Sequence, residues 1–271
     1  MKKSEPIEFH YPTSHRLTSD VGRIGRSKHL ITGLIEVDVT EARKKLRQVR
    51  SGDRNVSFLA WFIKTVADTV SLHPLVNGVM GRGDRVLAFK DINISIVAEK
   101  MFKGMRVPLA SVIRHANIKT ADQITKEIQM IKDQDVQDGS EDVLGKKSGG
   151  MIYNTWLMEL FVRLPQWLRV MLMRLFILGN PARMQEVMGT VMISSLGMGG
   201  HARGWFIPRS LHSLSLSIGS LNEQPAIYKG EIQKREILHL TILVDHDVVD
   251  GVPIAAFVEQ LVRRLEEGYE L

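Results

Sequence analysis

From Ile237 to Val244 the chain reads ILHLTILV, an almost unbroken apolar run rich in leucine and β-branched residues. So short an apolar run bounded by polar residues reads as a buried strand. It stops at Asp245-His246-Asp247, and Asp250-Gly251 marks a turn. Pro253 then stands where the first turn of a helix tolerates proline. Ile254, Val258, Leu261, Val262 and Leu265 follow at helical spacing. One histidine therefore sits between a buried strand and a helix, with a carboxylate four residues on and a glycine after that. Such a place holds an imidazole rigidly, as a general base requires.

The rest of the chain alternates the two periods. Ile31 to Val39 predicts a strand, and a basic helix starts at about Val39. Leu59, Phe62, Ile63, Val66 and Val70 trace a buried helix face, capped by Ser57 or Asn55 and ended by His73-Pro74. Trp61 belongs to that core, since no basic stripe accompanies it to make a stacking platform. Val79–Met80 and Val86–Phe89 flank a turn, and Ile92, Ile94 and Ile96 alternate as a half-buried strand. Thr120 with Gln123 forms a capping box before Ile124, Ile128 and Ile131. Gly189 to Ser194 is a strand, and Leu214, Leu216 and Ile218 alternate with serines in another that should end at Gly219, leaving 225–230 as a connection.

Three stretches stand apart. Residues 1–28 are polar and basic and predict an arm with little structure of its own. Residues 133–150 read as an exposed linker whose acidic spacing lacks the glutamate of a calcium loop. Residues 151–178 are apolar and aromatic, broken by Pro165 and by Arg163, Arg169 and Arg174, short of the roughly 18–20 uncharged residues of a membrane span. They predict two short helices buried against protein, packed on their own domain or on a neighbouring subunit. A lid over an acyl-chain tunnel and an in-plane membrane helix are the less favoured readings.

The absence of cysteine excludes disulfides and thiolate metal sites, and a cytoplasmic compartment is the natural reading. A net charge of +6 suits anionic ligands as well as nucleic acid. Residues 1–16 have no apolar stretch behind their charges, so they are not a signal peptide.

The spacing His246-x-x-x-Asp250-Gly251 resembles the catalytic motif of the dihydrolipoyl acyltransferases of 2-oxoacid dehydrogenase complexes, a family that shares its fold with chloramphenicol acetyltransferase. Further segments match in the same order: 29–44, 56–78, 90–99, 107–128 and 189–200. The resemblance implies an α/β (α+β) two-layer sandwich of mixed sheet and flanking helices, assembled as a trimer or a larger core. Residues 29–271 would be one catalytic domain with a helical insertion at about 133–188. It implies acyl transfer between coenzyme A and a thiol such as dihydrolipoamide, with His246 as base, Ser194 as oxyanion donor and Asp250 orienting the loop or the imidazole. Coenzyme A or acyl-CoA would be the substrate, and no step needs metal. No lipoyl-domain pattern or Pro/Ala-rich linker is present, so a lipoyl group is expected on another, lipoyl-bearing chain; a nucleic-acid partner is not expected. The family usually has arginine after its histidine, where this chain has Asp247, and asparagine where it has Ser195. Two other readings remain open: acyl transfer to a hydroxyl or amine, and an inactive assembly core.

Overall fold

The computed structural model describes residues 7–8, 14–52, 54–81, 83–102, 105–133, 160–195 and 203–271. The expected linker therefore lies almost wholly outside the described residues, as does the first part of the apolar stretch after it. Six strands form the main sheet: β1 (Leu30–Asp38), β4 (Ile94–Phe102), β5 (Met105–Ile113), β6 (Val191–Ser195), β7 (Leu214–Tyr228) and β8 (Glu231–Asp245). A separate pair, β2 (Val79–Met80) and β3 (Val86–Leu87), makes a small ribbon. The main order is β1-β8-β7-β6-β4-β5, parallel where β6 meets β4 and β7 and antiparallel elsewhere. This is the expected mixed sheet.

Four helices cover one face: α2 (Thr40–Ser51), α3 (Phe58–Leu72), α4 (Ala121–Asp133) and α7 (Gly251–Glu267). Every second residue of the central strands faces them, so Ile193, Leu216, Leu240 and Ile242 share one core with Phe62, Ile63, Phe257 and Leu261. Ser57 caps α3 by accepting from the Ala60 amide at 3.1 Å. Thr120 and Gln123 close the capping box in both directions. Trp61 is core, its indole N–H donating to the Tyr269 carbonyl at 2.9 Å. The entry to β6 needs glycine: Gly189 has φ +70, and a Cβ there would lie 2.3 Å from the Asn93 carbonyl oxygen.

The opposite face of the sheet is polar yet buried, carrying Ser213, Ser215, Ser217, His239 and Thr241. The chain from 203 to 213 crosses it. Trp205 donates to the Ile35 carbonyl and stands edge-on to His239. His212 is wholly buried there, with Nε2 at 2.9 Å from the Met188 carbonyl and Nδ1 at 3.1 Å from Ser210 Oγ. Burial pushes this imidazole down from 6.5 to about 4. The unfolded chain therefore binds a proton that the native state refuses between those two values. Stability held above pH 6.5 should fall as pH drops toward 4, by at most about 1.4 kcal/mol per pH unit from this group. Urea unfolding at pH 7 and pH 5 measures it, and His212→Gln should show a smaller difference between the two.

Two expectations are corrected. The N-terminal arm is not structureless: Ser14–Gly25 forms helix α1, with Asp20 and Ile24 buried. The apolar positions Leu17, Val21 and Ile24 carry its spacing, but the partner that buries them comes from beyond residue 160. β7 does not end at Gly219. It continues through an irregularity between Ile218 and Leu221 and turns at Lys229-Gly230, both at positive φ. Pro225 is tolerated because this outer half of β7 pairs only with β8, so one edge needs no amide donor.

The apolar stretch is helical, as expected, but is not covered by the described residues of its own chain. Pro165 does break it, standing at the N-cap of α5 (Gln166–Met173), which runs into a single π-helical turn, Arg174–Leu178, before α6 (Pro181–Met188). Within this chain, however, its apolar side chains are mostly not buried. Trp167, Met171, Leu175 and Phe176 are exposed, and α5 docks instead through Arg169. That guanidinium is paired with Asp20 of α1 at 2.6 and 2.9 Å and also donates to the carbonyls of Val162 and Leu164.

Candidate active site

The register of β1 on β8 builds the histidine loop. Leu30 pairs with Asp245, so the residues just before β1 lie beside those just after β8. The His246 amide donates to the His29 carbonyl at 2.8 Å. Lys28 pairs with the buried Asp245 carboxylate, and His29 Nδ1 lies 2.9 Å from Asp247 Oδ1. The loop is thus clasped by two polar pairs from the start of β1, the first sheltered and the second exposed to solvent and weak. Neither clasp partner was singled out from sequence. Only the strand register brings residues 28–29 to residues 245–247.

The imidazole of His246 is at the surface, and its Nδ1 lies 3.2 Å from the Val249 carbonyl oxygen. A carbonyl only accepts, so Nδ1 carries the proton and Nε2 keeps its lone pair. Asp250 is the N-cap residue of α7, without a side-chain capping bond. It makes no hydrogen bond or ion pair to His246 among the described residues.

Ser194 is the fourth residue of β6, on the polar face of the sheet, and its Oγ is buried without a hydrogen-bond partner. Ser217 and Thr241 are the other two buried side chains in that condition among the described residues. The three are register partners: Ser194 opposite Ser217, and Ser217 opposite Thr241. A row of hydroxyls thus crosses β6, β7 and β8 with no acceptor or donor among the described residues. The alternating serines of β7 were legible as a strand, but their alignment with Ser194 was not.

Within one chain the histidine and the serine do not meet. His246 lies five residues beyond Thr241, the residue level with Ser194 across the sheet. That is roughly 16 Å along the strands and about 10 Å across two strand spacings. A base and an oxyanion donor serving one carbonyl must both lie within hydrogen-bond reach of it.

Comparison with known proteins decides the family. The model of the 2-oxoacid dehydrogenases acyltransferase (catalytic domain) matches residues 28–140 and 180–271. The chain belongs to this family. Among curated family members, the lipoamide acyltransferase component of the branched-chain alpha-keto acid dehydrogenase complex of Bacillus subtilis is 25% identical over 246 residues, 86% of this chain and 46% of its own length. The chain spans about half the length of the curated relatives it matches. Among solved structures, a probable dihydrolipoamide acetyltransferase from Listeria monocytogenes superposes with a TM-score of 0.64 at 20% identity, covering 99% of this chain and 96% of that one. The dihydrolipoamide acetyltransferase of Azotobacter vinelandii gives 0.64 at 17% identity, covering 98% of each chain. In that protein a serine, a histidine and an asparagine four residues after the histidine were investigated for roles in the catalytic mechanism. These likenesses bear out the expected fold.

Proposed function

We infer that the chain is an acyltransferase that moves an acyl group between coenzyme A and a thiol such as dihydrolipoamide, at a site completed by a second copy. The observation that carries this reading is the tautomer fixed at His246, whose Nδ1–H is held by the Val249 carbonyl so that Nε2 is free to take a proton. In the forward step Nε2 removes the thiol proton, and the thiolate attacks the thioester carbonyl. The tetrahedral oxyanion accepts a hydrogen bond from Ser194, whose Oγ has no other engagement among the described residues. Collapse expels the second thiolate, which takes the proton back from the imidazolium. Atoms and charge balance without a further reactant.

Asp250 stands at the same four-residue spacing from His246 as the asparagine in the Azotobacter protein. Its carboxylate is unengaged among the described residues and is left for the partner copy or the loop. The separation of Ser194 from His246 supports a closed ring of copies, and a trimer is the assembly we propose. The β7–β8 hairpin supports it too, since beyond Leu221 it carries exposed Ile227 and Ile232 directly opposite each other. We read residues 29–271 as one catalytic domain with the apolar helices as an insertion. The family match leaves out 141–179, which supports that reading.

Incubating the protein with a panel of acyl-CoAs and thiol, alcohol or amine acceptors, and following release of free coenzyme A, tests the reaction. Release only with dithiol acceptors is the expected result. Preference for an alcohol or amine would move the chemistry to that acceptor, and no release under any pairing would leave an assembly core.

The hydroxyl row makes a second testable point. Replacing Thr241 by valine removes a buried hydroxyl that has no partner and keeps the shape, so stability should hold or rise by about 1 kcal/mol. If the row serves substrate or ordered water beside Ser194, turnover should fall even as the midpoint of urea unfolding holds or rises. Unchanged turnover would restrict the row to a fold feature.

A further inference from the structure

The exposed apolar side chains of α5 and its π turn form a stripe, and their surroundings are uniformly basic. Trp167, Met171 and Leu175 recur every four residues along one face, with Phe176 beside them, and Trp167 is 66% and Leu175 63% exposed. A large contiguous apolar surface of this kind marks an interaction site. Between residues 160 and 185 the chain has four arginines and no carboxylate. A groove of about 430 Å³ opens between α1 and the start of α5, lined by Ser19, Gly22, Arg23, Arg26, Gln166 and Arg209. Arg23 is bonded only to neutral Gln166, and none of the three groove arginines joins an ion pair among the described residues. The one carboxylate of α1, Asp20, is consumed by Arg169. Phe206 and Ile207, just before Arg209, are exposed as well.

We propose that this face docks on an anionic phospholipid surface, with Trp167, Met171, Leu175 and Phe176 entering the acyl boundary and Arg23, Arg26 and Arg209 receiving headgroup phosphate. Charge decides for this occupant. The groove holds three arginines and no carboxylate, so it fits an anionic partner. An anionic bilayer supplies phosphate for the arginines and hydrocarbon for the stripe at one surface, the pairing that defines an interfacial helix. No described helix is long and apolar enough to cross the membrane, so contact is in the plane of the surface. Arg169 and Asp20 serve this arrangement by holding α5 on α1 with its apolar side outward. The surface lies outside the proposed acyl-transfer chemistry and does not depend on it.

The test is sedimentation of the full chain with vesicles of phosphatidylcholine alone and of phosphatidylcholine with a third phosphatidylglycerol, at low and high salt. Binding is expected to the anionic vesicles only, and to weaken with salt. Arg26→Glu with Arg209→Glu, two exposed positions whose replacement costs no core contact, should lower partitioning tenfold or more. Trp167→Ser with Leu175→Ser should do the same without altering the oligomeric state measured by light scattering. The proposal is overturned if the wild-type chain ignores anionic vesicles, or if the charge-reversed variant binds them equally. It is also overturned if the Trp167/Leu175 variant dissociates the oligomer, which would assign the stripe to a second copy.

Discussion

His246→Ala should lose ~10²–10⁴-fold in acyl transfer from coenzyme A while folding and assembly persist, as removal of a positioned general base does. The imidazole is at the surface and its side-chain bond is to the carbonyl of its own loop, so the substitution vacates no core volume. Ser194→Ala should cost roughly 10²–10³-fold, as loss of one oxyanion donor does. Its Oγ has no partner among the described residues, so stability should not fall with activity. The double variant should be less impaired than the product of the two singles, because both act on one transition state. The geometry adds a sharper test. With the two residues at different levels of the sheet, the proposed arrangement takes His246 from one copy and Ser194 from another. Mixing the two inactive variants under conditions that exchange subunits should then restore about a quarter of wild-type activity by random pairing around a closed ring. No recovery despite verified exchange would put both residues in one chain's site and refute the shared arrangement.

Asp20→Ala should destabilise the protein by about 3–5 kcal/mol, because it strands the Arg169 guanidinium in a site that excludes water. The pair is fully enclosed: Asp20 is 0% and Arg169 5% exposed, with two hydrogen bonds between them. Arg169→Met should be costly for a second reason, since the Val162 and Leu164 carbonyls lose their donor. Combining Asp20→Leu with Arg169→Met removes both charges and should recover most, but not all, of the loss. Urea unfolding, with proteolysis reporting on α5, measures each. A loss below about 1 kcal/mol for Asp20→Ala would mean that the pair stays hydrated and does not anchor the helix.

The sequence by itself determined the elements whose signal is local. Alternation in 214–218 and the apolar run of 237–244 named strands β7 and β8, because an apolar face turned to the helices sets a period of two and a strand buried on both faces reads as a short continuous apolar run. Ser57, and Thr120 with Gln123, announced helix starts by chemistry that lies within three residues of the start. The spacing of His246, Asp250 and Gly251 located the histidine loop for the same reason: strand, turn and helix follow one another in the chain. Tertiary structure alone decided the rest. Lys28 and His29 reach the histidine loop through the β1–β8 register, across more than two hundred residues. The fate of α1 turned on Asp20 meeting a guanidinium 149 positions away, which no local pattern records. The exposure of Trp167 and Leu175 was hidden likewise, since apolar spacing shows that a helix has a face but not which neighbour, if any, covers it. The row of Ser194, Ser217 and Thr241 exists only once three strands are aligned, because hydroxyls become neighbours by pairing across a sheet and not by their order along the chain.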